Sequence, residues 1–206
     1  MPILYMVRHG RVCAESADEL NPQLSPEGHS QAAAVALELS ARLPGPLPIV
    51  TSPMRRCRET ASPLSTRWRT EPLLDPRLAE IPAPPPAQLA RKEWIQRSLQ
   101  VDWHEFMALG GSLQSGFDAV MEKWRQQVIE SVLAFKRDTV IFSHFVPLNV
   151  LAGHATGSQR VTCFLPDHTS ITVFETSGSD IRLLERGRES RARVRPAGDG
   201  AAPSPS

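Results

Sequence analysis

The chain has 206 residues, of which 41% are hydrophobic and 22% charged, and its formal net charge is +1. That length suits one domain with a proper core, and the near-neutral balance gives no global field to attract nucleic acid or a membrane surface. Three cysteines with no Cys-x-x-Cys pair suggest neither a zinc site nor a redox motif, and no apolar run approaches the ~20 residues of a membrane span.

The apolar run Ile3-Leu4-Tyr5-Met6-Val7 predicts a buried strand that ends at Arg8-His9-Gly10. A polar stretch follows from Arg11 to Gln23. Ser25-Pro26-Glu27 then opens a helix, with Ser at the N-cap, Pro at N1 and an acid in the first turn. Ala33, Leu37 and Leu43 lie among its apolar positions, and Pro44-Gly45-Pro46 ends it. Pro48 to Thr51 reads as a short second strand. Ser52-Pro53 repeats the cap-plus-proline signature and starts a helix bearing Met54, Arg55, Arg56, Cys57 and Thr60, in which Pro63 predicts a kink.

Residues 75 to 87 are proline-rich and irregular. Gln88 to Phe106 reads as helical, anchored by Trp94, Trp103 and Phe106, and Gly110-Gly111 breaks it. A long amphipathic helix is expected from about Leu113 to Lys136. Thr139-Val140-Ile141-Phe142 predicts a buried strand leading into Ser143-His144, with a further helix from Pro147 to Leu151. Val161 to Leu165, Ser170 to Glu175 and Asp180 to Leu184 read as strands, the last two joined at Ser177-Gly178-Ser179. From Arg186 the chain turns Arg-rich, then rich in Pro, Gly, Ala and Ser. Residues 186–206 are therefore expected to form a disordered tail beyond a domain spanning 1–185. Only Lys92, Lys123 and Lys136 are lysines, and the excess of arginine reads as coding bias.

This order predicts an α/β fold: a three-layer α/β/α sandwich on a mostly parallel sheet, with a helical insertion at about 81–112 over the site. In such sheets ligands bind outside the carboxyl ends of strands. Two strands deliver histidines there, His9 and His144, and a helix N-terminus between them projects arginines. Guanidinium forks and helix N-termini favour phosphate oxygens, and a neutral imidazole beside them can attack or carry a proton. The residue types point to a pocket for a tetrahedral dianion.

In this pattern the chain resembles the histidine phosphatase superfamily, also called phosphoglycerate-mutase-like, over roughly residues 3 to 185. Arg8-His9-Gly10 matches the family signature, and Leu24-Ser25-Pro26-Glu27-Gly28 with Gln31-Ala32 looks like its first-helix start. Thr51-Ser52-Pro53-Met54-Arg55-Arg56-Cys57-Arg58-Glu59-Thr60-Ala61 is similar to the family's Ser-Pro-Leu-x-Arg-Ala-x-x-Thr-Ala, with Cys57 in the small-residue slot. Asp75 to Glu80 resembles the segment supplying the acid, and Phe142-Ser143-His144 resembles the second-histidine motif.

The resemblance implies a phosphatase that hydrolyses a phosphomonoester through a phosphohistidine on His9. Arg8, Arg56 and His144 would hold the phosphoryl oxygens, and Glu80 would be the general acid and base. It implies no metal and no cofactor. The substrate would be a phosphorylated small molecule or a phosphoprotein, with no nucleic acid or membrane partner, and a homodimer is a fold-level expectation only. The sparse cysteines and the lack of a basic-then-apolar leader make cytoplasmic the expected location.

The chain also departs from the family. Phe145 stands where the family usually has Gly, and Ile81-Pro82-Ala83-Pro84 replaces a Gly-and-Trp stretch after the acid. These departures motivate an alternative, a non-catalytic phosphate-binding module. A mutase transferring phosphate between hydroxyls is the third reading, disfavoured because its longer acid-region motif is missing. Arg55 and Arg58 read as surface charges. His29, His104, His154 and His168 read as surface or hydrogen-bonding residues, with His104 and Trp103 lying in the insertion that in this family often lines the substrate entrance.

Overall fold

The computed structural model describes residues 1–13, 21–82, 99–111 and 115–190. Its strands are β1 (Ile3–Arg8), β2 (Ile49–Thr51), β3 (Leu73–Leu74), β4 (Thr139–Ser143), β5 (Ile171–Ser177) and β6 (Asp180–Glu185). The helices are α1 (Pro26–Arg42), α2 (Arg55–Trp68), α3 (Trp103–Gly111), α4 (Phe117–Leu133) and α5 (Phe145–Thr156), with a 3-10 turn at Pro76–Leu78. The six strands form one sheet in the order β3-β2-β4-β1-β5-β6. β3, β2, β4 and β1 run parallel, whereas β5 and β6 are antiparallel. The expected α/β architecture is therefore present, on a mixed sheet.

Alternation along the central strands sorts the core into two layers. On one face Leu4, Met6, Val50 and Ile141 pack with Phe106, Trp124 and Leu148 beneath α3, α4 and α5. On the other, Val7, Ile49, Val140 and Phe142 pack with Leu39, Cys57 and Leu64 of α1 and α2. β4 is buried at every residue, as a strand covered on both faces must be. Among the described residues no helix is long and apolar enough to cross a membrane.

α1 begins as its sequence predicts: Ser25 Oγ accepts from the Gly28 N–H at 3.0 Å and Pro26 takes N1. Its buried stripe is Gly28, Ala32, Val35, Ala36 and Leu39, so the phase differs from that expected and Ala33 and Leu37 face solvent. Gly28 is there for close approach. A Cβ at Gly28 would lie 2.0 Å from the Arg11 carbonyl oxygen, and one at Gly10 would lie 2.8 Å from the Gly28 oxygen. The same Arg11 carbonyl accepts from the Ser25 N–H at 2.8 Å, so the loop leaving His9 is pressed onto the first turn of α1. Gly28→Ala therefore forces backbone apart. It is expected to cost ~1–3 kcal/mol, read as a lowered urea midpoint; an unchanged midpoint contradicts this packing.

Several elements differ from the sequence reading. α2 starts at Arg55 with Met54 as N-cap and no side-chain cap; Ser52 Oγ accepts from the Met54 N–H at 3.3 Å and lies 2.8 Å from His144 Nε2. The helix runs through Pro63 to Trp68, held by buried Cys57, Ala61 and Leu64. β3 was not expected, and the helix expected from Pro147 starts at Phe145. The long helix expected over 113–136 is α4, Phe117–Leu133.

Val161 to Leu165 is not a strand. The Cys163 and Phe164 N–H groups both donate to buried Asn149 Oδ1, at 2.7 and 3.0 Å, and the Leu165 N–H donates to Glu189 Oε2 at 3.1 Å, so no ladder forms. The tail does not begin at 186 either. Asp167 N–H donates to Arg188 C=O and Ser190 N–H to Leu165 C=O, both at 2.8 Å, which ties 186–190 into the domain. The hairpin at Ser177-Gly178-Ser179 is present, with Gly178 at φ 62°.

Trp94 and the triple proline of the insertion, and separately the tail beyond 190, lie outside the described residues. The described helix there, α3, starts at Trp103 and includes Gly110 and Gly111, which were expected to break it, and Trp103 and Phe106 are its buried anchors. Their rings meet edge-on at 5.4 Å, and the Arg125 guanidinium of α4 stacks 4.4 Å over Trp103.

Candidate active site

Register brings the site together. β1 and β4 pair Arg8 with Ser143, and β2 and β4 pair Thr51 with Phe142, so three parallel strands end in line. The ladder runs one residue further, with the His9 N–H donating to Ser143 C=O and the Ser52 N–H to Phe142 C=O, each at 3.0 Å. His9, His144 and Ser52 thus leave the sheet at the same edge.

His9 is 7% exposed. Its Nδ1 lies 2.8 Å from the Gly10 carbonyl oxygen. A carbonyl only accepts, so Nδ1 carries the proton and Nε2 keeps a free lone pair. Burial, then Arg8 and Arg56, hold the His9 pKa well below the ordinary histidine value. The nucleophilic form is thereby the resting form. The turn after it is pinned by Thr60, whose Oγ1 accepts from the Gly10 N–H at 3.0 Å and donates to Arg56 C=O at 2.6 Å.

His144 is fully buried and is the N-cap residue of α5. Its ring stands 5.3 Å from that of His9, steeply inclined to it. Its Nε2 lies 2.8 Å from Ser52 Oγ and 3.4 Å from Cys57 Sγ. Cys57 donates to Ser143 C=O at 3.3 Å, and burial keeps its thiol protonated. Burial, then His9, Arg56 and Arg8, hold the His144 pKa well down.

Arg56 sits in the first turn of α2, 8% exposed. Arg8 Nη1 donates to Pro166 C=O at 2.8 Å, and its guanidinium lies 5.2 Å from the centre of the Phe145 ring. Phe145 therefore packs against the Arg8 guanidinium, a contact worth ~0.5–2 kcal/mol. Arg55, by contrast, pairs with Glu59 at 2.7 Å, as a surface charge does.

Glu80 is held by the fold of its neighbours. Ser143 Oγ donates to Leu78 C=O at 2.9 Å and Trp124 Nε1 to Ala79 C=O at 3.3 Å. Glu80 Oε1 accepts from the Ile81 N–H at 3.0 Å and from the Val146 N–H at 3.2 Å. Val146 is in the first turn of α5, so the carboxyl sits on the N-terminus of the helix that His144 caps. Burial raises the Glu80 pKa, while those two N–H groups and both arginines oppose it. Arg8 and Arg56 bear on the charge of His9, His144 and Glu80 alike, so all five predicted residues share one field. Among the described residues no group of three or more His, Cys, Asp or Glu side chains is arranged to hold a metal ion.

His168 was read from sequence as a surface or hydrogen-bonding residue. Its ring lies 6.0 Å from that of His9. Burial and Arg8 lower its pKa to about 4. With His9, His144 and His168 all depressed, the folded state binds fewer protons than the unfolded chain below about pH 6.5. Their stabilisation is complete above that pH and is lost as pH falls, at up to ~1.4 kcal/mol per unit per histidine. Glu80, raised, opposes in part. The urea midpoint is expected to drop between pH 7.5 and 5.5; a flat profile contradicts the burial of neutral histidines.

At one edge of the α/β sheet, a buried histidine with a free Nε2 thus stands beside a second histidine, in the field of two guanidiniums that also bears on a buried carboxyl. The sequence model of the histidine phosphatase superfamily (branch 1) matches residues 4–196, and the chain belongs to that family. Solved structures share the fold. A phosphoserine phosphatase from Entamoeba histolytica, in complex with 3-phosphoglyceric acid, is 18% identical with a TM-score of 0.66, over 94% of this chain and 99% of that one. A mycobacterial glucosyl-3-phosphoglycerate phosphatase, in complex with VO3, is 22% identical with a TM-score of 0.58, over 92% of this chain and 100% of that one. No curated protein matched the chain in sequence.

Proposed function

We propose that this chain is a phosphatase that hydrolyses a phosphomonoester through a phosphohistidine on His9. The observation that carries the reading is the Nδ1–H···O=C bond to Gly10, which fixes the tautomer and leaves Nε2 to attack. Nε2 bonds to phosphorus as the ester P–O bond breaks in line, and the Glu80 carboxyl gives its proton to the leaving oxygen. Arg8, Arg56 and His144 hold the equatorial oxygens, where transition-state charge spreads. Water then attacks phosphorus, its proton passes to Glu80, and the P–N bond breaks to release phosphate and neutral His9.

The raised Glu80 pKa supports this cycle, since burial makes the carboxyl hold its proton more readily than an exposed one and so favours the form that donates to the leaving oxygen. The substrate class that fits is a small phosphometabolite. The two structural relatives are named for phosphoserine and glucosyl-3-phosphoglycerate. Single-turnover rapid quench with p-nitrophenyl phosphate tests the reading. An acid-labile, base-stable adduct that forms and decays at the rate of turnover supports it; no adduct and no turnover across a panel of phosphometabolites removes it.

Glu80→Gln separates the acid role from phosphate binding. The variant is expected to lose ~10²–10⁴-fold on alkyl phosphates, whose leaving oxygen needs the proton, and far less on p-nitrophenyl phosphate. Equal losses on both substrates move the acid role to another residue.

A further inference from the structure

The loop between α5 and β5 carries a histidine that the proposed mechanism leaves unused. The His168 ring, 6.0 Å from His9, is scarcely farther away than His144 at 5.3 Å. The loop is clipped to β1 on either side of that residue. Arg8 Nη1 donates to Pro166 C=O at 2.8 Å, the Thr169 N–H to Arg8 C=O at 3.0 Å, and the Arg8 N–H to Ser170 C=O at 3.3 Å. His168 is therefore fixed to the backbone that carries Arg8 and His9.

The backbone there is also strained. Thr169, a β-branched residue, stands at φ 56°, in the left-handed region. Such strain persists where surroundings over-determine it, and it gathers at ligand sites. Here the surroundings are specific. Thr169 Oγ1 and Arg188 Nη2 both donate to His168 C=O, at 2.7 and 3.1 Å. The His168 N–H donates to Asp167 Oδ1 at 2.8 Å, and Arg188 Nε to Asp167 Oδ2 at 3.3 Å.

The ring is treated differently from its backbone. Among the described residues its nitrogens make no hydrogen bond, and the Asp167 carboxylate stands 4.0 Å away, too far for one. The charged groups that bear on it are Arg8 from β1, Arg11 from the following loop, Glu27 from α1 and Asp167 from its own loop. Burial and Arg8 keep the ring neutral, so it offers one N–H donor.

We propose that His168 is a third histidine of the phosphate site, a neutral hydrogen-bond donor to an oxygen of the phosphoryl group carried by His9. The inference rests on the phosphatase reading for the identity of that group, but phosphate binding tests it without turnover. The probe is inorganic phosphate, titrated calorimetrically into wild type, His168→Ala and His168→Asn, with thermal melts as a folding control. His168→Ala is expected to weaken phosphate ~10-fold, and His168→Asn, which keeps a donor, to restore most of it. Unchanged affinity in His168→Ala overturns the proposal, as does equal loss in both variants, which marks a merely structural role.

Should His168→Ala fail to fold, ring-nitrogen NMR of the wild type decides. The His168 resonances must move on saturation with phosphate, and stationary resonances overturn the contact. A wild type that binds phosphate through His168 yet turns over no phosphomonoester keeps this inference and removes the phosphatase reading; a wild type that binds no phosphate removes both.

Discussion

His9→Ala is expected to abolish turnover, lowering kcat on p-nitrophenyl phosphate by ~10⁴-fold or more, as removal of a covalent nucleophile does. Phosphate affinity should survive, because Arg8, Arg56 and His144 remain. The fold should survive too. His9 is buried and neutral, so its truncation costs packing and one bond to Gly10 C=O but strands no charge, and the ladder bond from its backbone N–H to Ser143 C=O stays. Activity within tenfold of wild type would place the nucleophile elsewhere.

Arg56→Ala is expected to cost ~10²–10³-fold in kcat/KM, the scale for removing one preorganised donor to a developing oxyanion. It carries a second signature that simple loss of packing lacks. Arg56 lowers the pKa values of His9, His144 and Glu80, so all three should rise in the variant. Arg56→Lys keeps the charge but not the planar fork. It should return the histidine pKa values toward wild type while leaving most of the rate lost. Histidine resonances followed through a pH titration, beside kcat/KM, check both; a silent titration in Arg56→Ala would separate Arg56 from the site.

The sequence carried the motifs because each is local: a strand, then a turn, then a side chain of fixed chemistry. Arg8-His9, Arg56 and His144 follow from the ends of β1, β4 and the start of α2, and parallel register aligns them. Glu80 was legible only through resemblance. What seats it, the Leu78 and Ala79 carbonyls held by Ser143 and Trp124, depends on residues more than forty positions away.

The helical phase of α1 was misread because an alanine-rich helix gives little contrast between its faces, and Gly28 rather than a larger residue marks the contact. The nearness of His168 to His9 was not legible, for a topological reason. It precedes β5, and only the antiparallel pairing of β5 with β1, Val7 opposite Ile171, brings the start of β5 to the end of β1. A strand's direction in the sheet is set by tertiary packing and is not written in its own residues. Residues 186–190 looked like tail by composition, yet Arg188 and Glu189 are spent on fixing the loop that carries His168.

The proposed cycle passes the phosphoryl group through His9 Nε2. The direct measurement is the position of phosphate on the trapped enzyme, read by phosphorus NMR and by mass spectrometry of the acid-quench-free digest. Phosphate on Nε2 of His9 is the result expected from the Nδ1 bond to Gly10 C=O. Phosphate on Nδ1, on His144 or His168, or on no histidine would contradict it.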